Sequence, residues 1–142
     1  SARERFGAQL VPTDAGGIRA LFSALKKGGL VGIPPDQDPR AAGGVFAPFF
    51  GLQANTMTLL PRLASKSGAL PLLSVAERLP WGRGFRMHFM AISPQSLDDD
   101  PVIAATAINQ SVEQAVRRWP EQYQWVYKRF RTQPAGQPRL YH

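Results

Sequence analysis

Apolar positions recur at two different spacings along the chain, and the changes of spacing mark out its elements. Between residues 13 and 29, Ile18, Leu21, Phe22 and Leu25 fall at i, i+3, i+4 and i+7, which predicts a helix. Thr13 or Asp14 can cap it, Lys26 and Lys27 sit in its last turn, and Gly28-Gly29 stops it. A short strand over residues 9–12 precedes this helix, and the apolar run Leu30-Val31-Gly32-Ile33, ended by Pro34-Pro35, follows as another. Strand, helix, strand is the order of a βαβ crossover and predicts parallel pairing. After a loop over 36–44, residues 45–50 read as a further buried strand. Residues 56–67 read as a short helix ended by Gly68, in which Pro61 means either a late start or a kink.

Residues 70–77 are again of strand type, and 84–92 alternate Phe85, Met87 and Phe89 against Arg86, His88 and Met90 with period two. Asp98, Asp99 and Asp100 then form an acidic entry with Pro101 at the first helical position. The helix that follows carries one stripe of Ala105, Ile108, Val112, Ala115, Val116 and Trp119, ended by Pro120. A last amphipathic stretch, 121–130, holds Tyr123, Val126, Tyr127 and Phe130, and 132–142 reads as an extended Pro/Gly-rich tail. The sum predicts one α/β layered domain over residues 1–142, with a partly parallel sheet flanked by helices.

Composition narrows the function classes. At 142 residues and 44% hydrophobic content a packed core is within reach, while 13 Gly and 13 Pro call for many turns. The absence of cysteine removes disulfides, Cys-based zinc sites, iron–sulfur clusters and thiol catalysis. Seventeen Lys+Arg against ten Asp+Glu give a net charge of +7, a surface that attracts polyanions: nucleic acid, anionic lipid, phosphorylated substrates or an acidic protein. No run approaches the ~18 apolar residues of a membrane span, and the start lacks the apolar core of a signal peptide, so a soluble or peripheral chain is expected.

No dinucleotide fingerprint, phosphate-binding P-loop, zincin or nucleophile-elbow motif is present, and two histidines, His88 and His142, leave no His-rich metal site. No cofactor and no metal is expected. His88 reads as a surface or packing residue on the polar face of a strand rather than a catalytic one. The informative stretch is Asp36-Gln37-Asp38-Pro39-Arg40, followed by Phe49-Phe50-Gly51. A carboxylate, an amide and a guanidinium delivered at the end of a buried strand lie where open α/β sheets bind ligands, although the same residues are good turn chemistry.

Asp36-Gln37, Phe49-Phe50-Gly51 with Ala54 and Thr56, Gly68-Ala69-Leu70-Pro71, and the run from Gln122 to Phe130 before Pro134-Ala135-Gly136 occur in an order that resembles the lipid A biosynthesis acyltransferases. These lauroyl and myristoyl transferases belong to the wider lysophospholipid acyltransferase superfamily. The resemblance runs from about Arg5 to Tyr141. It implies transfer of a fatty acyl chain from acyl carrier protein to a lipid A precursor at the cytoplasmic face of the bacterial inner membrane.

The resemblance also implies a His-x4-Asp/Glu motif that deprotonates the acceptor hydroxyl. That motif is missing, because Ser93 stands five positions after His88 and His142 is terminal. The expectation is therefore a C-terminal portion of such an enzyme, inactive alone and carrying no catalytic residue. Asp36, Gln37, Arg40, Phe49, Phe50, Gly51 and Thr56 are the positions the resemblance implies for substrate binding. Expected partners are acyl carrier protein, the lipid A precursor and an anionic membrane surface, with self-association of the fragment and no nucleic acid. The alternative is a non-enzymatic basic module for anionic lipid, nucleic acid or an acidic protein. Trp81, between Pro80 and Gly82 and near Arg78, Arg83 and Arg86, reads either as a lipid-docking residue or as a ring folded over the sheet. The Tyr123, Trp125, Tyr127 and Phe130 cluster reads as core, or else as a surface that holds acyl chains or meets a membrane interface, and Arg117-Arg118 and Lys128-Arg129-Arg131 read as solvated faces.

Overall fold

The computed structural model describes residues 7–12, 14–39 and 43–141. Among these described residues it is an α/β arrangement of three α-helices and two antiparallel hairpins. Helix α1 spans Ala15–Lys26 and is capped by Asp14, whose carboxylate accepts from the Gly17 N–H at 2.8 Å. Strands β1 (Gly44–Phe49) and β2 (Leu52–Met57) form the first hairpin, with Phe49 facing Leu52 across a two-residue link. Helix α2 runs Leu59–Ser67 and ends on Gly68 in the left-handed conformation. Strands β3 (Leu72–Arg78) and β4 (Phe85–Ala91) form the second hairpin, and helix α3 (Pro101–Arg118) starts at the cap Asp100.

Helix α3 organises the rest. Its Val112, Ala115 and Val116 meet Phe49 and Ala54 of the first hairpin and Leu73 of the second, with Ile92 just beyond β4, in one buried cluster. Alanines at 104, 105, 107 and 115 are all buried, and their small side chains let α3 lie close against what it covers.

The expected parallel pairing is not formed, since both sheets are antiparallel and the stretches 9–12 and 30–33 belong to neither. Leu30 is almost fully exposed. An apolar run of strand length reads the same whether or not a neighbouring strand exists to pair with it, and here none of the described strands lies beside it. Residues 52–57 form a strand, which takes in positions 56 and 57 that were expected in a helix. The helix begins late, at Leu59, which puts Pro61 in its first turn, where the missing N–H costs no helical bond. The stretch 121–130 is a single 3-10 turn at Pro120–Gln122 followed by irregular turns, not a helix.

Candidate functional site

The loop that follows Ile33 is held against the C-terminal segment by the side chain and backbone of Asp38. Its N–H donates to the Tyr127 hydroxyl at 2.8 Å; its carboxylate accepts from Asn55 Nδ2 at 2.9 Å and from the Thr132 N–H at 2.9 Å. Below this, Arg129 enters the protein and is only 3% exposed. Its guanidinium donates to the Asn55 carbonyl at 2.6 Å and to Thr56 Oγ1 at 2.8 Å, and its Cζ lies 5.4 Å from the centre of the Phe49 ring. Asn109 of α3 donates to Thr56 Oγ1 at 3.0 Å and to the Pro48 carbonyl at 3.0 Å. Burial lowers the Arg129 pKa, while Tyr123, Asp36 and Asp38 act in the opposite direction and hold the cation. Arg129 is therefore not on a solvated face, as its place in a Lys-Arg-rich run suggests; it clamps the base of the first hairpin to the C-terminal segment.

This clamp presents Asp36. Pro35 and Asp36 stand at a cleft of about 140 Å³ whose walls include Leu73, Val75, Val112, Val116 and Trp119, with Tyr123 also at its border. Burial, followed by the Asp36 charge and hydrogen bonding, pushes the Tyr123 phenol well above its ordinary pKa, with Arg129 opposing. The result is an apolar slot bordered by one carboxylate, with the ring of a phenol whose oxygen is buried beside it. His88 lies behind the cleft wall: its ring stacks on Trp119 at 4.3 Å and its Nε2 is 2.8 Å from Glu77 Oε2, a packed position.

The residues singled out in the sequence divide into groups. Asp36 borders the cleft and Gln37 is exposed beside it. Phe50 and Gly51 form the turn of the first hairpin, and Phe50 reaches the cleft region through ring contacts, Phe50 to Trp125 at 6.5 Å and Trp125 to Tyr123 at 5.0 Å. Phe49 and Thr56 are internal, Phe49 in the core and Thr56 fully buried with its hydroxyl bonded inside the protein, so both shape the site from beneath. Arg40 lies outside the described residues. Tyr123, Arg129 and Asn109 are absent from the expected substrate-binding positions, and Asp38 stood in the informative stretch without a role; the signal for Tyr123 and Arg129 was their place in the run from Gln122 to Phe130 that carries the resemblance.

An α/β chain in which an apolar cleft lies under a carboxylate, both braced by a buried arginine, is thus defined by its geometry. The chain belongs to the bacterial lipid A biosynthesis acyltransferase family, whose pattern matches residues 1–132. It is 36% identical over 129 residues to a lipid A biosynthesis lauroyltransferase of Escherichia coli (strain K12), covering 90% of this chain and 42% of that protein. It is 37% identical over 128 residues to a palmitoleoyltransferase of the same organism, with 87% and 40% coverage. A myristoyltransferase of that organism is 27% identical over 145 residues, with 99% and 43% coverage. The chain thus spans about two fifths of the length of the curated relatives it matches. Among the described residues no helix is long and apolar enough to cross a membrane.

Proposed function

We propose that this chain forms the substrate-shaping part of an acyltransferase that moves a fatty acyl chain from acyl carrier protein to a lipid A precursor, at the cytoplasmic face of the bacterial inner membrane. The observation that carries the reading is the cleft bordered by Asp36 and Tyr123, found in a chain of this family. In the reaction, an acceptor hydroxyl attacks the thioester carbonyl, a C–O bond forms, the C–S bond breaks and the thiol leaves with a proton. The base for the hydroxyl proton is a His-x4-Asp/Glu pair supplied from outside these 142 residues, since neither His88 nor His142 has a carboxylate at that spacing.

What this chain contributes is position. The cleft offers a mainly apolar wall of Leu73, Val75, Val112 and Val116 against which part of an acyl chain can lie. The Asp36 carboxylate accepts from an amide or hydroxyl of the acceptor, and the Tyr123 ring forms the border of the cleft beside it. Asp36, Tyr123 and the turn at Phe50-Gly51 are on this reading the acceptor-facing elements, and Phe49 and Thr56 their support.

The test is thioester consumption with acyl carrier protein and lipid A precursor. The 142-residue chain alone is expected to give no turnover, and a longer polypeptide bearing an upstream His-x4-Asp/Glu segment is expected to turn over. In that polypeptide Asp36→Asn lowers kcat/KM by roughly 10- to 150-fold, the worth of a charge-assisted hydrogen bond. Turnover by the 142-residue chain that is abolished in His88→Ala overturns the reading, as does an Asp36→Asn variant with full activity.

A further inference from the structure

The ladder of the first hairpin closes at Phe49 opposite Leu52, and the next backbone donor turns to helix α3. The Phe50 N–H donates to Glu113 Oε1 at 2.7 Å, a bond between positions 63 apart in the chain. The acceptor is a carboxylate whose side chain is only 19% exposed, so the bond is charge-assisted and only partly screened. Val112 and Val116, beside Glu113 on the helix, line the cleft. One helix therefore walls the cleft and grips the turn of the first hairpin.

Phe50 needs that grip. It holds φ of 47° beside Gly51 at 79°; the glycine adopts its value at no steric cost, whereas a left-handed phenylalanine is strained and persists only where its surroundings enforce it. Arg117, one turn on from Glu113, lies with its Cζ 5.1 Å from the centre of the Phe50 ring and its Nη2 3.6 Å from Glu113 Oε2. It is 67% exposed and touches the ring alone, so it steadies the side chain without setting φ. The Phe49 ring, from the core side, meets the Phe50 ring edge-on at 4.9 Å between centres. Of these contacts, the bond to Glu113 is the one that acts on the backbone.

We propose that Glu113 is a positioning residue: its bond to the Phe50 N–H holds the Phe50-Gly51 turn in the left-handed conformation and so fixes how that turn meets the acceptor. The inference rests on the reading of this turn as acceptor-facing. What Glu113 supplies is preorganisation. With the bond in place the turn stands in its binding conformation; without it Phe50 relaxes toward negative φ, the link no longer matches the twist of its strands, and the acceptor must reorder the turn on arrival. The loss then falls on the KM of the acceptor and not on that of the thioester, which this reading does not place at the turn. Saturating acceptor restores the turn, so kcat is spared.

The test uses the longer polypeptide that carries the upstream His-x4-Asp/Glu segment, with lipid A precursor varied at saturating acyl thioester. Glu113→Ala is expected to raise the acceptor KM about tenfold, with kcat and the thioester KM within about twofold, as when the competent turn falls to about a tenth of the population. Glu113→Asp keeps the charge but withdraws it by one methylene; it is expected to lose nearly as much and replaces the alanine variant if that fails to fold. Glu113→Gln, whose amide oxygen still accepts from the N–H, stays within about threefold of the wild type. Asparagine adopts the left-handed conformation with less strain, so in a Phe50→Asn background Glu113→Ala changes the acceptor KM by less than about twofold. Hydrogen exchange at the Phe50 amide, faster in Glu113→Ala and near wild type in Glu113→Gln, reads the grip without turnover. Asp36→Asn separates the two levels: full activity in that variant overturns the acceptor site and this proposal together, whereas a loss there with an unchanged acceptor KM in Glu113→Ala overturns the role of Glu113 alone. Equal losses in Glu113→Ala and Glu113→Gln, or a tenfold loss that persists in the Phe50→Asn background, overturn it as well.

Discussion

Arg129 is the residue on which the site most depends, because a guanidinium this deep is held only by the groups it satisfies. Arg129→Ala leaves the Asn55 carbonyl and the Thr56 hydroxyl short of a donor, and removes the cation that faces Asp36 and Asp38. Removing one partner from a buried charged network costs about 3 to 5 kcal/mol, a large part of the ~5 to 15 kcal/mol that holds a typical domain. The expected result is a fall of the urea midpoint to near the lower limit of folding, with Arg129→Lys restoring little because an ammonium cannot make the two parallel donations. A midpoint within experimental error of the wild type in Arg129→Ala would remove the clamp from this account. Tyr123 gives a pH signature of the same region. Its phenol is raised from 10.0 by burial first and by Asp36 next, so the native state keeps a proton that the unfolded chain releases above about pH 10. Unfolding then releases a proton, and wild-type stability declines as pH climbs through that range. Tyr123→Phe has no proton to lose there, so the stability difference between the two proteins shifts in favour of the variant between about pH 9 and 11, readable from urea midpoints at each pH. A difference that stays constant across this range contradicts the raised phenol.

At the scale of elements, the first hairpin shows why its turn was hard to read from the sequence. A two-residue link with φ of 47° at Phe50 and 79° at Gly51 needs positive φ at both positions, a demand that Asn-Gly meets most easily. Phenylalanine at the first position conceals the signal. It is held there because its N–H donates to Glu113 Oε1 at 2.7 Å and its ring meets Phe49 at 4.9 Å and Arg117 at 5.1 Å. Strand β2 was hidden for a related reason. Ala54, Asn55 and Thr56 are buried in succession, so the strand has no alternation of apolar and polar residues, and its two buried polar side chains are satisfied by Asp38, Arg129 and Asn109 from distant parts of the chain. Helices α1 and α3 were legible because a cap and a one-sided stripe are local, and β1, β3 and β4 because apolar runs bounded by turn residues are local too. The parallel pairing suggested by residues 30–33 failed on the opposite ground, since pairing depends on a neighbour that the run itself does not specify. In the site, Asp36 was legible from its place just after an apolar run and the two prolines that end it. Tyr123 read as core, with a role in holding acyl chains as the alternative, and Arg129 only as surface, because what places them is tertiary contact.

The molecule as a whole distributes its stability unevenly. Around α3, the first hairpin is tied by core packing, by Asn109 and by Arg129, whereas the second hairpin packs through one face and ends in a tip with no buried residue among 80–84. Local opening draws on the elements with fewest buried contacts, so hydrogen exchange is expected to be slowest along β1 and β2, faster along β3 and β4, and fastest at 80–84. The clamp sharpens this expectation. In Arg129→Ala the amides of β1, β2 and the Asp38 and Thr132 donors lose protection together, since Asp38, Asn55 and Arg129 join three segments that are far apart in sequence. The β3–β4 ladder, which shares no hydrogen bond with Arg129, keeps most of its own protection relative to the remaining global stability. Exchange measured by mass spectrometry on peptides from both hairpins separates the cases. Unequal loss centred on the first hairpin is the expected outcome, and a uniform loss over both hairpins would show instead that the chain opens as a single unit with no separate bracing of the site.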